Sequence, residues 1–185
     1  FVHGALCTCF SGQCYLSSFA GGNSGNRGLC KQPCRKKYVY VVNGKSSKLN
    51  YALSLADLCS VNDVDALINA GVKSFKIEGR LRSEEYLATA VLLYKNKLNN
   101  VNVSLNDVKT AYNRGDFTRL LGFGQQKSFI SSKIQGHKGL FFAKVVKVLQ
   151  KELKIDTKTK LCEGDSFKII RNDCEVGSAI AVLVD

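Results

Sequence analysis

The sequence predicts an α/β fold followed by a small antiparallel β-barrel, and two observations support this prediction. Between residues 60 and 112, helical and extended segments alternate with short connections, which is the pattern of α/β units in a parallel sheet or barrel. After Gly124, short β-branched segments recur between turn residues, as in small antiparallel barrels. We therefore expect two domains, residues 1–124 and residues 125–185.

The first domain is expected to begin with a short buried strand over residues 1–6. This strand runs into a glycine-rich segment over residues 11–35, which predicts a loop because it lacks a helical or extended period. Residues 38–42 are β-branched and aromatic, which predicts a second strand, and Asn43-Gly44 predicts a hairpin turn directly after it.

Helical signals follow. Residues 60–70 predict a helix that ends at Gly71, and residues 73–77 predict the next strand. Ser83 predicts the cap of a longer helix, and residues 105–112 predict a third, shorter one. The expected core-facing side chains of the long helix recur at helical spacing: Leu87, Val91, Tyr94 and Leu98. The strands expected in the second domain cover residues 140–148, 152–155, 166–170 and 179–184.

Composition narrows the class of protein. The chain has 185 residues, of which 45% are hydrophobic, enough for one medium domain or two small ones. No apolar stretch approaches the roughly 20 residues that cross a bilayer, so we expect no membrane span. The chain contains no methionine, and Phe1 does not open a signal peptide. We interpret the chain as a fragment of a longer cytoplasmic protein.

The charge is unevenly distributed along the chain. Lys and Arg number 27 against 15 Asp and Glu, and residues 1–60 contain seven basic residues with a single acid, Asp57. A solvated lysine-rich surface explains this pattern, and so does binding of an RNA backbone or another polyanion. The seven basic residues are Arg27, Lys31, Arg35, Lys36, Lys37, Lys45 and Lys48.

Cysteines dominate the first 34 residues. The candidate metal ligands are Cys7, Cys14, Cys30 and Cys34, with Cys59 as a fifth candidate. Their spacing differs from the paired Cys-x-x-Cys knuckles of a zinc ribbon. Thiolates from a strand end and a glycine loop suit an iron–sulfur cluster, while zinc and disulfides remain alternatives.

Charged residues at the end of the predicted strand 73–77 form a second candidate site. Side chains beyond the carboxyl end of a parallel strand line the ligand crevice, where Lys76 and Arg80 would bind an anion beside Glu78. A surface ion pair is the structural alternative. His3 lies four residues before Cys7, which suits proton transfer or a buried structural histidine. The sequence has no zinc-protease His-Glu-x-x-His motif, hydrolase elbow or Walker loop.

Taken together, these motifs resemble the collagenase-like peptidases of family U32, whose catalytic type is unknown. The resemblance covers nearly the whole chain. The residues that carry it are His3-Gly-Ala-Leu-Cys7, Ser11-Gly-Gln-Cys14, Asn26-Arg-Gly-Leu-Cys30, Gln32-Pro-Cys-Arg35, Asp57-Leu-Cys59, Ala70-Gly-Val72, Ser74-Phe-Lys-Ile-Glu-Gly-Arg80 and Asn113-Arg-Gly-Asp-Phe-Thr118.

The resemblance implies a fold and an activity. The fold would be the C-terminal part of a TIM-type (β/α) barrel, followed by a translation-factor-like β-barrel, with the other barrel strands lying before Phe1. Several relatives hydroxylate a pyrimidine in tRNA or ribosomal RNA with prephenate as co-substrate. Others hold a four-iron, four-sulfur cluster on cysteines of this region, which favours Cys7, Cys14, Cys30 and Cys34 as ligands.

The site residues expected from this resemblance fall into two groups. The catalytic candidates are His3 and Glu78, and the substrate-binding candidates are Lys76, Arg80, Arg27 and Arg35. Lysines of the β-barrel would add affinity for RNA. Two rival functions stay open, namely a true peptidase (a hydrolase acting on collagen-like substrates) and a zinc- or disulfide-stapled RNA-binding module. Without the preceding barrel strands, we expect the chain alone to be inactive.

Overall fold

The computed structural model describes residues 1–10, 13–119, 129–131, 133, 135–171 and 174–183. The chain divides into two compact units, Phe1–Lys138 and Gly139–Asp185. The predicted boundary between residues 124 and 125 lies outside the described residues, and the domain division stays a prediction. Among the described residues, no helix is both long and apolar enough to span a bilayer.

In its described residues, the first unit combines short strands with four α-helices and three 3-10 turns. Its strands are β1 (His3–Gly4), β2 (Val41–Val42), β3 (Lys45–Ser46), β4 (Asp57–Cys59) and β5 (Phe117–Thr118). Its α-helices are α1 (Leu16–Phe19), α2 (Val64–Asn69), α3 (Glu84–Leu98) and α4 (Asn106–Ala111). Three 3-10 turns cover Gly25–Arg27, Pro33–Arg35 and Val61–Asp63.

The central sheet has the order β1-β4-β5. β1 runs antiparallel to β4, with His3 opposite Cys59, whereas β4 and β5 are parallel. Ile77 adds an isolated parallel bridge to His3. β2 and β3 form a separate hairpin. β1 therefore lies between β4 and the segment around residue 77.

Helix α3 covers one side of this sheet. The Ser83 hydroxyl accepts a hydrogen bond from the backbone N–H of Tyr86 at 3.3 Å, which confirms the predicted cap. The predicted core-facing stripe is partly wrong, because Val91 and Leu98 are about half exposed. The buried side chains of α3 are Tyr86, Ala90, Leu93 and Tyr94. Three of them, Tyr86, Leu93 and Tyr94, belong to one core with Val2, Cys59, Val61, Val64 and Val108.

The described residues of the second unit form two antiparallel hairpins. Its strands are β6 (Ala143–Val148), β7 (Leu153–Thr157), β8 (Ser166–Arg171) and β9 (Cys174–Ala179). β6 pairs with β7 and β8 pairs with β9. The last strand was expected at residues 179–184 but ends at Ala179, because Cys174–Ala179 supplies the partner of β8.

The predicted fold class, a TIM-type barrel segment followed by a closed β-barrel, is wrong. The described residues form few helices and several small, mostly antiparallel sheets, with neither kind of barrel among them. Residues 73–77 were expected to form a strand, yet they contribute a single bridge at Ile77. In the second unit, each hairpin pairs within itself in the described part of the chain, so its strands do not join into one sheet.

Candidate active site

His3 lies in a buried box of aromatic rings. Its imidazole centroid is 5.6 Å from those of Tyr86 and Tyr94 and 5.4 Å from that of Phe117. Burial lowers the pKa of His3 to about 4, so the ring is neutral at physiological pH. Neither ring nitrogen has a hydrogen-bond partner among the described residues, and the Tyr86 hydroxyl also lacks one there. A buried polar atom without a partner requires an explanation, and a role in catalysis is one such explanation.

A buried carboxylate and two arginines lie next to this box. Arg114 donates to Asp57 Oδ1, and Arg82 Nη2 lies 3.8 Å from Asp57 Oδ2. The Arg82 guanidinium also stacks 3.7 Å above the Tyr112 ring, and that of Arg114 lies 5.4 Å from it. The Asp57 side chain is fully buried. The Tyr86 ring connects the two groups, since it contacts both His3 and Arg82.

Arg35 brings a third guanidinium to the same region. Its Nη1 donates to the Ser54 hydroxyl at 2.9 Å and to the Leu55 carbonyl, and its Nη2 donates to the Leu6 carbonyl at 2.8 Å. Burial and the nearby Arg114 charge lower the pKa of Arg35. Three positively charged guanidinium groups therefore lie near one negative charge, the Asp57 carboxylate. This leaves an excess of positive charge in a mostly buried region.

The segment from Cys7 to Cys34, here called the cysteine loop, is attached to the sheet at several points. Arg35 holds its carboxyl end, and the Thr8 hydroxyl donates to the Leu53 carbonyl at 2.8 Å. Arg80 Nη2 donates to the Gly28 carbonyl at 3.1 Å. Within the loop, the Ser17 hydroxyl accepts from the backbone N–H of Lys31 at 3.0 Å. These bonds organise a segment that the sequence predicts to be a loop.

Backbone N–H groups point at two of the loop's sulfur atoms. The N–H of Gln32 donates to Cys30 Sγ at 3.2 Å. The N–H of Leu16 donates to the Cys14 thiol and, with a hydrogen bond from Cys9, lowers the pKa of Cys14. The same bond to Cys14 raises the pKa of Cys9. Cys9 is not among the candidate ligands that the sequence predicts.

The loop meets only part of what an iron–sulfur cluster requires. Cys7, Cys14, Cys30 and Cys34 are free thiols, and N–H groups directed at sulfur are typical of cluster ligands. The donor chemistry therefore fits the cluster. Among the described residues, however, no three His, Cys, Asp or Glu side chains converge closely enough to bind one metal ion. The ligand set stays a prediction.

Cys59, the fifth predicted ligand, lies in the hydrophobic core. Its side chain packs against Tyr94, whose hydroxyl lies 3.9 Å from Cys59 Sγ. Burial raises the pKa of this thiol. Cys7 and Cys30, in contrast, are exposed.

The other predicted site residues are spread around the sheet edge. The backbone N–H of Glu78 donates to the His3 carbonyl at 2.8 Å, which brings the two catalytic candidates side by side. Lys76 is exposed, with its Nζ 4.5 Å from the Phe1 ring centroid. Arg80 binds the cysteine loop, and Arg27 is exposed at the end of a 3-10 turn in that loop. The roles assigned to these residues stay predictions.

Comparison with known proteins assigns the chain to a family. The family model of peptidase family U32 matches residues 1–131. The chain belongs to peptidase family U32. This confirms the resemblance on which the sequence analysis relied.

Named relatives of this U32 chain fall into two groups. It is 32% identical over 191 residues to the 23S rRNA 5-hydroxycytidine C2501 synthase of Escherichia coli, covering 92% of this chain and 29% of that protein. It is 44% identical over 101 residues to a collagenase of Porphyromonas gingivalis, and 38% identical over 103 residues to tRNA hydroxylation protein P1 of Bacillus subtilis. Each of these two alignments covers 51% of this chain and 24% of the relative.

The U32 chain thus spans less than a third of the length of these relatives. No solved structure matches it.

Sequence reasoning missed the Asp57–Arg82–Arg114 cluster of this U32 chain. The sequence analysis named Asp57 as the single acid of residues 1–60 and Arg114 as part of a motif, but it assigned neither a partner, and it did not name Arg82. The sequence does contain a sign of this ion-pair cluster, because Asp57 is the first acidic residue of the chain and follows seven basic residues. A lone carboxylate in such a segment is a natural partner for arginines elsewhere.

Proposed function

We propose that this chain is part of a protein that hydroxylates a pyrimidine base in tRNA or ribosomal RNA. The observation that carries the proposal is the combination, in one segment, of free thiols and unopposed positive charge. Residues 1–56 contain seven basic residues and no acid, and the candidate cluster ligands lie among them. Redox-capable thiols on a surface that attracts polyanions suit oxidation of a nucleic acid. The names of the E. coli and B. subtilis relatives agree with this function.

The buried arginines suit a carboxylate-bearing co-substrate. Arg35, Arg82 and Arg114 lie near a single carboxylate, Asp57, and a buried excess of positive charge favours a second anion. Guanidinium groups bind carboxylates through paired hydrogen bonds. We propose prephenate, which carries carboxylates, as the co-substrate of this site.

The remaining candidates would handle protons and electrons. His3 and Glu78, whose backbones are joined by a hydrogen bond, are the proposed proton-transfer residues. Cys7, Cys14, Cys30 and Cys34 would hold an iron–sulfur cluster, with Cys9 next to Cys14 as a further donor. When bound, such a cluster supplies one-electron transfer. Zinc is the alternative metal for these thiols.

Two linked measurements on the full-length protein test the proposal. The first is iron and acid-labile sulfide content after anaerobic purification, for the wild type and for Cys7→Ser, Cys14→Ser, Cys30→Ser and Cys34→Ser. The second is mass spectrometry of RNA nucleosides from cells that lack the protein and are complemented with each variant. Cys162→Ser, an exposed cysteine of the second unit, is the matched control.

We expect the four loop variants to lose both iron and the hydroxylated nucleoside, while the control keeps both. RNA hydroxylation that is unchanged when the protein is deleted would refute the proposed function. Zinc without iron, with hydroxylation intact, would refute the cluster alone.

Peptidase activity is the second candidate, because collagenases of P. gingivalis are 42% and 44% identical over about half of this chain. It predicts cleavage of denatured collagen by the full-length protein in the presence of a chelator. The same cleavage should persist in the four cysteine variants. Collagen that stays intact under these conditions excludes this candidate.

A further inference from the structure

The hairpin β2–β3 and its flanks, residues 36–50, form an exposed basic element, here called the basic hairpin. It carries Lys36, Lys37, Lys45 and Lys48, all of which are exposed. No acidic residue occurs anywhere between residues 1 and 56, so the local sequence offers these lysines no ion pairs. Charge of one sign without compensation costs stability and attracts polyanions.

The basic hairpin also exposes an aromatic ring and apolar side chains. Tyr40 is 51% exposed, and its neighbours Val41 and Val42 are 62% and 57% exposed. Isolated two-stranded hairpins are marginally stable, and they normally bury one apolar face. Here that surface is open and lies among lysines. Basic side chains interleaved with an exposed aromatic ring are typical of nucleic-acid-binding surfaces.

The hairpin is nonetheless well ordered by hydrogen bonds. Tyr38 and Asn50 exchange backbone bonds of 2.7 and 3.1 Å. The backbone N–H of Tyr40 donates to the Ser47 hydroxyl at 3.0 Å, and the Ser47 N–H donates back to the Tyr40 carbonyl at 2.8 Å. At the tip, Asn43 and Gly44 have φ angles of 50° and 76°, as a tight primed turn requires. A preformed surface loses little entropy on binding.

The base of the hairpin is continuous with the candidate active site. Lys36 directly follows Arg35, which holds the cysteine loop. The Tyr38 hydroxyl donates to the Pro33 carbonyl at 2.8 Å, in the turn that contains Cys34. A ligand lying along the hairpin would therefore extend toward the thiols.

We propose that the basic hairpin binds single-stranded RNA, with phosphates on its lysines and an unpaired base stacked on Tyr40. This inference rests on the proposed function and names the surface that holds its substrate. Unpaired bases expose the faces that an aromatic ring can stack against, whereas a duplex hides them. The hairpin thus selects a loop or a strand end and delivers a neighbouring nucleotide to the site.

The test is fluorescence anisotropy of the full-length protein with a short labelled single strand, and with the matching duplex, over a range of salt concentrations. The variants are Lys45→Gln/Lys48→Gln and Tyr40→Ala. The charge-matched control is Lys73→Gln/Lys95→Gln, two exposed lysines of the same unit outside the hairpin. Circular dichroism verifies that each variant is folded.

Each variant has its own expected signature. Loss of two phosphate contacts should reduce the slope of log K against log salt by about 1.4, because each contact to a single strand contributes about 0.7. Tyr40→Ala should weaken binding on the order of tenfold and leave the salt slope unchanged. The control should bind like the wild type, and the single strand should bind more tightly than the duplex.

Two results would overturn the proposal. If the wild type binds RNA and the hairpin variants bind equally well, the RNA surface lies elsewhere and the proposed function survives. If the wild type binds neither the single strand nor the duplex, both the hairpin assignment and the proposed function fail.

Discussion

Replacing Asp57 by asparagine tests the buried charge cluster most directly. The substitution removes the carboxylate that faces Arg114 and Arg82, whose side chains are 6% and 12% exposed. Removing one partner of a buried ion pair typically costs about 3–5 kcal/mol, because the other charge stays buried without compensation. For a chain of this size, each kcal/mol lowers Tm by about 2–4 °C. We therefore expect Tm to fall by at least about 6 °C.

The matched control is Asp65→Asn, which breaks the pair between Asp65 and Lys97 at the surface. The Asp65 side chain is 65% exposed, so its pair should contribute less than about 1 kcal/mol. Thermal and urea unfolding at pH 7, followed by circular dichroism, measure both variants. Equal losses of stability in the two variants would refute the reasoning, since burial would then make no difference to the Asp57 pairs.

Two further predictions concern β1. Burial lowers the pKa of His3 to about 4, against 6.5 for a histidine in the unfolded chain, so the unfolded chain binds a proton first as the pH falls. The free energy of unfolding should therefore drop by about 3 kcal/mol between pH 6.5 and pH 4. In urea unfolding, the free energy of His3→Phe should depend less on pH over this range than that of the wild type. Gly4→Ala should lower the free energy of unfolding more than Gly22→Ala. Both glycines have positive φ, but only at Gly4 would an added Cβ lie 2.8 Å from the Glu78 carbonyl oxygen. Equal urea midpoints for the two variants would contradict this prediction.

The features that sequence reasoning predicted correctly are decided by near neighbours in the chain. Asn43-Gly44 forms the tight turn of the hairpin, because both residues tolerate positive φ. Ser83 caps α3 through a contact only three residues away. The helices predicted over residues 60–70 and 105–112 appear as Val64–Asn69 and Asn106–Ala111.

The features that it missed depend on distant parts of the chain. The site brings together Arg35, Asp57, Arg82 and Arg114, and no local pattern links these four positions. The buried face of α3 was misplaced because it is selected by the His3 ring, which contacts Tyr86 and Tyr94. The prediction of a closed β-barrel was wrong for a similar reason. Even spacing of strands along the chain does not determine whether separate hairpins pair with each other.

The guanidinium of Arg35 joins the two ends of the cysteine loop. It bonds Leu6 across 29 positions, so the two ends of the cysteine loop are fixed at one group. Replacing Arg35 would therefore separate the two ends of the loop, while the bonds of Thr8 to Leu53 and of Arg80 to Gly28 and the pairing of β1 with β4 remain.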